Sequence, residues 1–317
     1  MSCRRGRCPV PAPGRRPGRD PRPPAGPARD PRQRGPGPDA GVDRLHPPEV
    51  FDDVRSGEAI WFDDGKIGGV VERVEPGRVR VRITHARVRG EKLRGDKGIN
   101  LPDSALRIAA MTEQDRRDLG FIAANADVVE LSFANTAKDV GALQEELERL
   151  GGHRPAIVLK VETRRGFENL PDMLLTAMRQ PSCGVMIARG DLAVECGFER
   201  MAEVQEEILW ICEAAHIPVI WATQVLESLA KDGMPSRAEI TDAAMGHRAE
   251  CVMLNKGPHV LTAIRVLDNI LHRMQAHQTK KRAMLRELRL AHGLRAVTPR
   301  PEADVAPREG LSSTVGG

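Results

Sequence analysis

The sequence predicts an α/β fold in which parallel strands alternate with helices and deliver charged side chains to one rim, with a small antiparallel β module in front. Three observations predict it. Ile157-Val158-Leu159 runs into Lys160-Val161-Glu162, and Gly184-Val185-Met186-Ile187-Ala188 runs into Arg189-Gly190-Asp191. Each is a short apolar run that ends in charge, the pattern of a buried parallel strand reaching a polar rim. Beyond Pro102, helical and strand patterns then alternate at a spacing suited to βα units. In a β/α barrel the C-terminal rim of the strands is where chemistry sits.

The elements follow in order. Residues 1–48 form an Arg/Pro-rich segment, and residues 1–41 contain no Leu, Ile, Phe or Lys. Such a stretch cannot bury enough apolar surface to offset its chain entropy, and disorder is expected. Arginine without a lysine before Lys66 is also what GC-rich DNA yields when translated out of frame or from a misassigned start. Residues 49–98 read as a partial β-domain. Ile60-Trp61-Phe62 leads to the turn Asp63-Asp64-Gly65, Ile67 to Val74 leads to Glu75-Pro76-Gly77, and Val79, Val81 and Ile83 alternate with arginines. Turn chemistry alone accounts for the Asp-Asp-Gly residues.

Residues 99–277 carry the βα units. Helices are expected at 112–124, 138–150, 167–179, 199–215, 237–245 and 261–274, and strands at 127–133, 156–162, 184–189, 218–223 and 251–254. Gly151-Gly152 supplies a helix stop. Residues 278–292 are rich in Lys, Arg and Leu and extend a helix, and 295–317 read as a loose tail.

Composition excludes several functions. Residues 1–44 hold eleven Arg against four Asp, so of the formal charge of +4 the remaining residues carry −3. The basic character belongs to the tail, which argues against a nucleic-acid surface on the folded part. With no Tyr, six Phe and three Trp, a stacking platform for single strands is not expected either. Six cysteines without a C-x-x-C pair read as reduced thiols of a cytoplasmic protein. No apolar run of about 18 residues predicts a membrane helix, and the basic N-terminus lacks the apolar core of a secretory signal. Oligomerisation is left open.

The candidate site lies on two strand ends. Side chains alternate along a strand, so Lys160 and Glu162 point to one side, and the next strand adds Asp191 beside Gly190. Two carboxylates with open space between them suit Mg²⁺, which keeps waters and takes substrate oxygens. A lysine beside that ion can compensate charge on a transferring phosphoryl group or on an enolate oxygen. Lys256, in the loop after the last strand, is a candidate phosphate contact. Arg237 and Glu239 read as a structural pair, and His216 and His247 as solvated or capping residues.

From Phe62 to Met274, about two thirds of the chain, the sequence resembles pyruvate kinase. The matching pieces, in order, are Asp63-Asp64-Gly65, Lys97-Gly98-Ile99-Asn100-Leu101-Pro102, Ser132-Phe133, Lys160-Val161-Glu162, Ala188-Arg189-Gly190-Asp191-Leu192, Ala222-Thr223-Gln224-Val225-Leu226-Glu227-Ser228 and Pro235-Ser236-Arg237-Ala238-Glu239. The resemblance implies a (β/α)₈ TIM-type barrel, here strands four to eight, with the remnant of an inserted β-domain. It implies phosphoryl transfer from phosphoenolpyruvate to ADP, giving pyruvate and ATP. Glu162 and Asp191 would hold Mg²⁺, and Lys160 would neutralise the phosphoryl group and the enolate oxygen. Gly190 and Asp191 would offer backbone amides to the substrate carboxylate, and the Thr223 hydroxyl would sit near the carbon that is protonated. The family also uses K⁺, but its Asn, Ser and Asp ligands and an arginine for the phosphates are not found here. Its usual Ser-Gly-Glu-Thr is replaced by Asn255-Lys256-Gly257-Pro258, and the Asn after K-x-E by Thr163. Two rivals share the Lys160, Glu162 and Asp191 cluster: a Mg²⁺-dependent lyase or aldolase of pyruvate enolate, and a non-catalytic barrel remnant.

Overall fold

A computed structural model describes Gly6, Arg7 and residues 49–282 other than 96 and 153. Apart from Gly6 and Arg7, the tail expected to be disordered over 1–48 lies outside the described residues, as do 283–317. The chain divides into two compact units, Met1–Leu271 and His272–Gly317. Both larger sheets and the candidate site belong to the first.

Strand β1 (Gly6–Arg7) pairs antiparallel with β5 (Lys92–Leu93). Helix α1 (Val50–Asp53) precedes a second sheet of β2 (Ala59–Phe62), β3 (Ile67–Glu75), β4 (Arg78–His85) and β6 (Ile99–Asn100), in the order β4-β3-β2-β6. β6 carries this sheet past residue 98, where the sequence sets the border of the module. Asp63, Asp64 and Gly65 all take positive φ in the turn between β2 and β3, so the turn reading of these residues holds. Gly68 is required for packing, since a Cβ there would lie 2.4 Å from the Trp61 ring. Val50, Ile60, Phe62, Ile67 and Val71 form the small core beneath the sheet.

The third sheet is parallel. α2 (Glu113–Asn125) leads to β7 (Val128–Leu131), α3 (Ala137–Leu150) to β8 (Ala156–Val161), and α4 (Arg164–Glu168) and α5 (Leu170–Ala177) to β9 (Cys183–Ala188). α6 (Arg189–Cys196) and α7 (Met201–Ala215) lead to β10 (Val219–Val225), and α8 (Glu227–Asp232) and α9 (Arg237–Met245) to β11 (Cys251–Leu254). α10 (Val260–Arg282) follows. The order β11-β10-β9-β8-β7 places each strand beside its chain neighbour, the arrangement of a partial β/α barrel.

Alternation along the strands decides what each face carries. Ile157, Leu159, Val161, Val185, Ile187, Val219 and Trp221 point into the main core with the helices, whereas Val158, Met186 and Ala222 form a small cluster on the opposite face. Lys160 shares the parity of Val158 and therefore leaves the helix side.

The structure differs from expectation in four places. Residues 189–196 form helix α6, and the single helix expected at 167–179 is two, joined at Asn169. α8 was not expected as a helix. The carboxylate of Glu239 does not serve Arg237: its oxygens accept from Ser236 N–H at 2.8 Å and Ser228 N–H at 2.5 Å, capping α9 and tying it to the start of α8.

Candidate active site

The C-terminal ends of β8, β9 and β10 converge. Lys160 Nζ lies 2.6 Å from Glu162 Oε1 and 3.7 Å from Glu130 Oε1, the latter from the same face of β7. Glu162 follows β8 directly and is 2% exposed. Its second oxygen accepts from the Phe133 N–H at 2.6 Å, and Phe133 takes φ +54° to present that amide. One carboxylate thus receives a cation on one oxygen and a backbone amide on the other.

Asp191 enters from the first turn of α6. Burial, then the negative charges of Glu162 and Asp64, push its pKa up to about 6, against an Asn100 hydrogen bond and the Lys160 charge. The β module therefore contributes to the site: Asp64 comes from its first turn and Asn100 from β6. Asn100, 5% exposed, also donates to Glu195 Oε1 at 3.2 Å. Glu195 is raised as well, first by burial. For Lys160, burial works against the ammonium, but the Glu162 hydrogen bond and the charges of Glu162, Glu130 and Asp191 outweigh it, and its pKa stands above the ordinary lysine value.

Among the described residues no three His, Cys, Asp or Glu side chains gather as a metal cluster. That does not count against Mg²⁺, which needs one or two carboxylates and completes its shell with water and substrate. The carboxylates of Glu162 and Asp191 fit such an ion chemically. Both are hard oxygen donors, and the pKa of Asp191 is raised first by desolvation and then by the negative charges of Glu162 and Asp64, which a cation between them would offset.

Thr223 ends the usable part of β10. It takes φ +61°, Gln224 +56° and Leu226 +48°, and the pairing of β10 with β11 shifts register between Trp221 and Val225. Three left-handed residues without a glycine are costly, each by roughly 1–2 kcal/mol. The bend turns the Thr223 hydroxyl toward α6, where it accepts the Gly190 N–H at 2.8 Å. Gln224 N–H donates to Asn255 Oδ1 at 3.2 Å, which ties this bend to the loop carrying Lys256, an exposed side chain. Behind the bend lies Arg189, 8% exposed.

The structure thus brings Lys160, Glu162 and Asp191 into mutual charge contact, joins Gly190 to Thr223, and links Lys256 through its neighbour. Sequence reasoning missed Glu130, Asn100, Asp64 and Arg189 as parts of this neighbourhood. Glu130 had a signal, a lone carboxylate inside the apolar run Val128-Val129-Leu131. Asn100 and Asp64 needed the packing of the module against α6, and Arg189 needed the bend of β10 and the approach of α9.

A lysine and two carboxylates at the C-terminal rim of a parallel β/α sheet define the class: a partial β/α barrel with a charged rim. Residues 39–258 match the family model described as pyruvate kinase, barrel domain, and the chain belongs to the pyruvate kinase family. It is 35% identical to a pyruvate kinase of Clostridium acetobutylicum over 197 residues, covering 62% of this chain and 40% of that protein. Identity to human pyruvate kinase PKLR is 33% over 251 residues, covering 77% and 42%. For the pyruvate kinase of Thermotoga maritima it is 34% over 226 residues, covering 69% and 46%. The chain spans less than half the length of these relatives. Among the described residues no helix is long and apolar enough to cross a membrane.

Proposed function

We propose that this chain carries out Mg²⁺-dependent phosphoryl transfer from phosphoenolpyruvate to ADP, giving pyruvate and ATP. The observation that carries the reading is the contact of Lys160 with Glu162 beside the half-buried Asp191, whose pKa is raised by desolvation and by the neighbouring carboxylates. Mg²⁺ held by Glu162 and Asp191 would supply charge compensation for the phosphoryl and carboxylate oxygens. Lys160, released from Glu162, places its ammonium where the bridging oxygen becomes an enolate, the kind of preset charge that lowers such a barrier. The Gly190 N–H, now given to Thr223, becomes available to the substrate carboxylate, and the freed Thr223 hydroxyl faces the carbon that takes up a proton. Lys256 contributes a phosphate contact. No residue is assigned to K⁺. Four free thiols among the described cysteines agree with a cytoplasmic site of action.

The test is pyruvate formation from phosphoenolpyruvate and ADP with Mg²⁺, with and without K⁺, comparing the chain with Lys160→Met. Activity in the parent that falls at least a hundredfold in the variant is expected. Equal rates in both, or no pyruvate from soluble folded parent, would refute the reading for this chain.

A further inference from the structure

We infer that Arg189 is the positioning residue of this site, holding the left-handed bend at Thr223 and with it the Gly190–Thr223 contact; the inference rests on the proposed phosphotransferase reading for its catalytic consequence.

The guanidinium is buried and every part of it is used. Nε donates to Ala222 O at 3.0 Å and Nη2 to Thr223 O at 2.6 Å, while Nη1 donates to Asp242 of α9. Its carbon stands 4.7 Å from the centre of the Trp221 ring. These four partners are Asp242 and three successive residues of β10, at the point where that strand departs from extended geometry. Consecutive carbonyls in a strand point to opposite sides, so one planar group can reach those of Ala222 and Thr223 only because Thr223 turns left-handed. The fork of Arg fits that geometry, and a lysine nitrogen does not.

Burying a charge is costly even when it is paired, so an ion pair with Asp242 gives no reason by itself for an arginine here. The carbonyls give one. Thr223 and Gln224 both hold φ values that non-glycine residues avoid, and strain of this kind persists only where the surroundings enforce it. Arg189 is also the first residue of α6. Its side chain fixes the backbone of Thr223 while the amide of the next residue, Gly190, donates to the side chain of Thr223. The ends of β9 and β10 are cross-tied by two adjacent residues, and Asp191 follows immediately. None of these contacts involves the oxygens of Glu162 or Asp191.

The experiment uses the full chain with Arg189→Lys, Arg189→Met and Asp242→Asn. Hydrogen–deuterium exchange of the Gly190 amide reads the tie without reference to activity. At least tenfold faster exchange at Gly190 is expected in the Arg189 variants and a smaller increase in Asp242→Asn, with Leu159 in β8 unchanged within twofold. The pyruvate assay then reads the consequence: kcat at least tenfold lower in Arg189→Lys, with the Mg²⁺ dissociation constant from calorimetry within threefold of the parent. General loosening would move both. If Arg189→Met does not fold, the other two variants decide. Gly190 exchange unchanged within twofold in folded Arg189→Lys overturns the tie, and an unchanged kcat overturns its positioning role. A parent that makes no pyruvate sinks the phosphotransferase reading, while Gly190 exchange still decides the tie.

Discussion

Replacing Asp191 with Asn should make the metal-free protein more stable while disabling it. The carboxyl is pushed from 3.8 up to about 6 by burial and by the charges of Glu162 and Asp64. A pKa raised on folding means that the folded state holds the proton more tightly than the unfolded chain. Stability is therefore lost as pH rises through the window from 3.8 to 6 and is level above it. Raising a pKa by one pH unit corresponds to about 1.4 kcal/mol, which sets the full penalty near 3 kcal/mol at pH 8 and near 1 kcal/mol at pH 4.5. Asn keeps an acceptor for the Asn100 amide and carries no charge. Urea denaturation of Asp191→Asn and parent at both pH values, at matched slopes, should show a gain of about 3 kcal/mol at pH 8 that shrinks to about 1 at pH 4.5. Saturating Mg²⁺ should stabilise the parent by about 2.7 kcal/mol at a hundred times its dissociation constant and leave the variant unmoved. No gain at pH 8, or the same gain at both pH values, would show that Asp191 is not held under charge strain.

Three further outcomes are expected. Mg²⁺ affinity measured by calorimetry should fall about tenfold per pH unit below 6 and level off above it, because one proton must leave Asp191; a flat profile would remove Asp191 from the ligand set. Lys160→Met leaves the buried Glu162 carboxylate without its cation, a loss of about 3 kcal/mol at the low end for a broken buried pair, seen in urea and partly restored by Mg²⁺. Recovery no greater than in the parent would separate Lys160 from the metal reading. Gly257→Ala would set a Cβ 2.1 Å from Ala230 O, so the loop bearing Lys256 must shift at a cost of about 1–3 kcal/mol, and an unchanged thermal midpoint would mean the loop has room.

The strands at 156–161 and 183–188 were legible because an uninterrupted apolar run leaves little choice of structure, and charge marks its end. Helix α6 was not, for Arg189-Gly190-Asp191 has the composition of a loop, and the segment is helical because Leu192 is buried in the main core. The split at Asn169 was hidden for a related reason: Thr163 caps a five-residue helix through Gly166 N–H at 2.9 Å, and no local pattern announces where it stops. The placement of Lys160 beside Glu162 follows from strand alternation alone. That Asn100 and Asp64 would reach Asp191 depends on how β6 and the first turn meet α6, which is a matter of packing between segments more than ninety residues apart in the case of Asn100 and Glu195.

Trp221 has a use beyond packing. It is 1% exposed, its indole nitrogen has no hydrogen-bond partner among the described residues, and a guanidinium stands 4.7 Å above its ring. The other two tryptophans differ in surroundings, Trp61 lying against His85 in the β module and Trp210 being 59% exposed. An excited indole is sensitive to a nearby fixed charge, so the emission of Trp221 serves as an unlabelled optical gauge of the rim. A ligand that disturbs the bend at Thr223 will change its colour before any product is made.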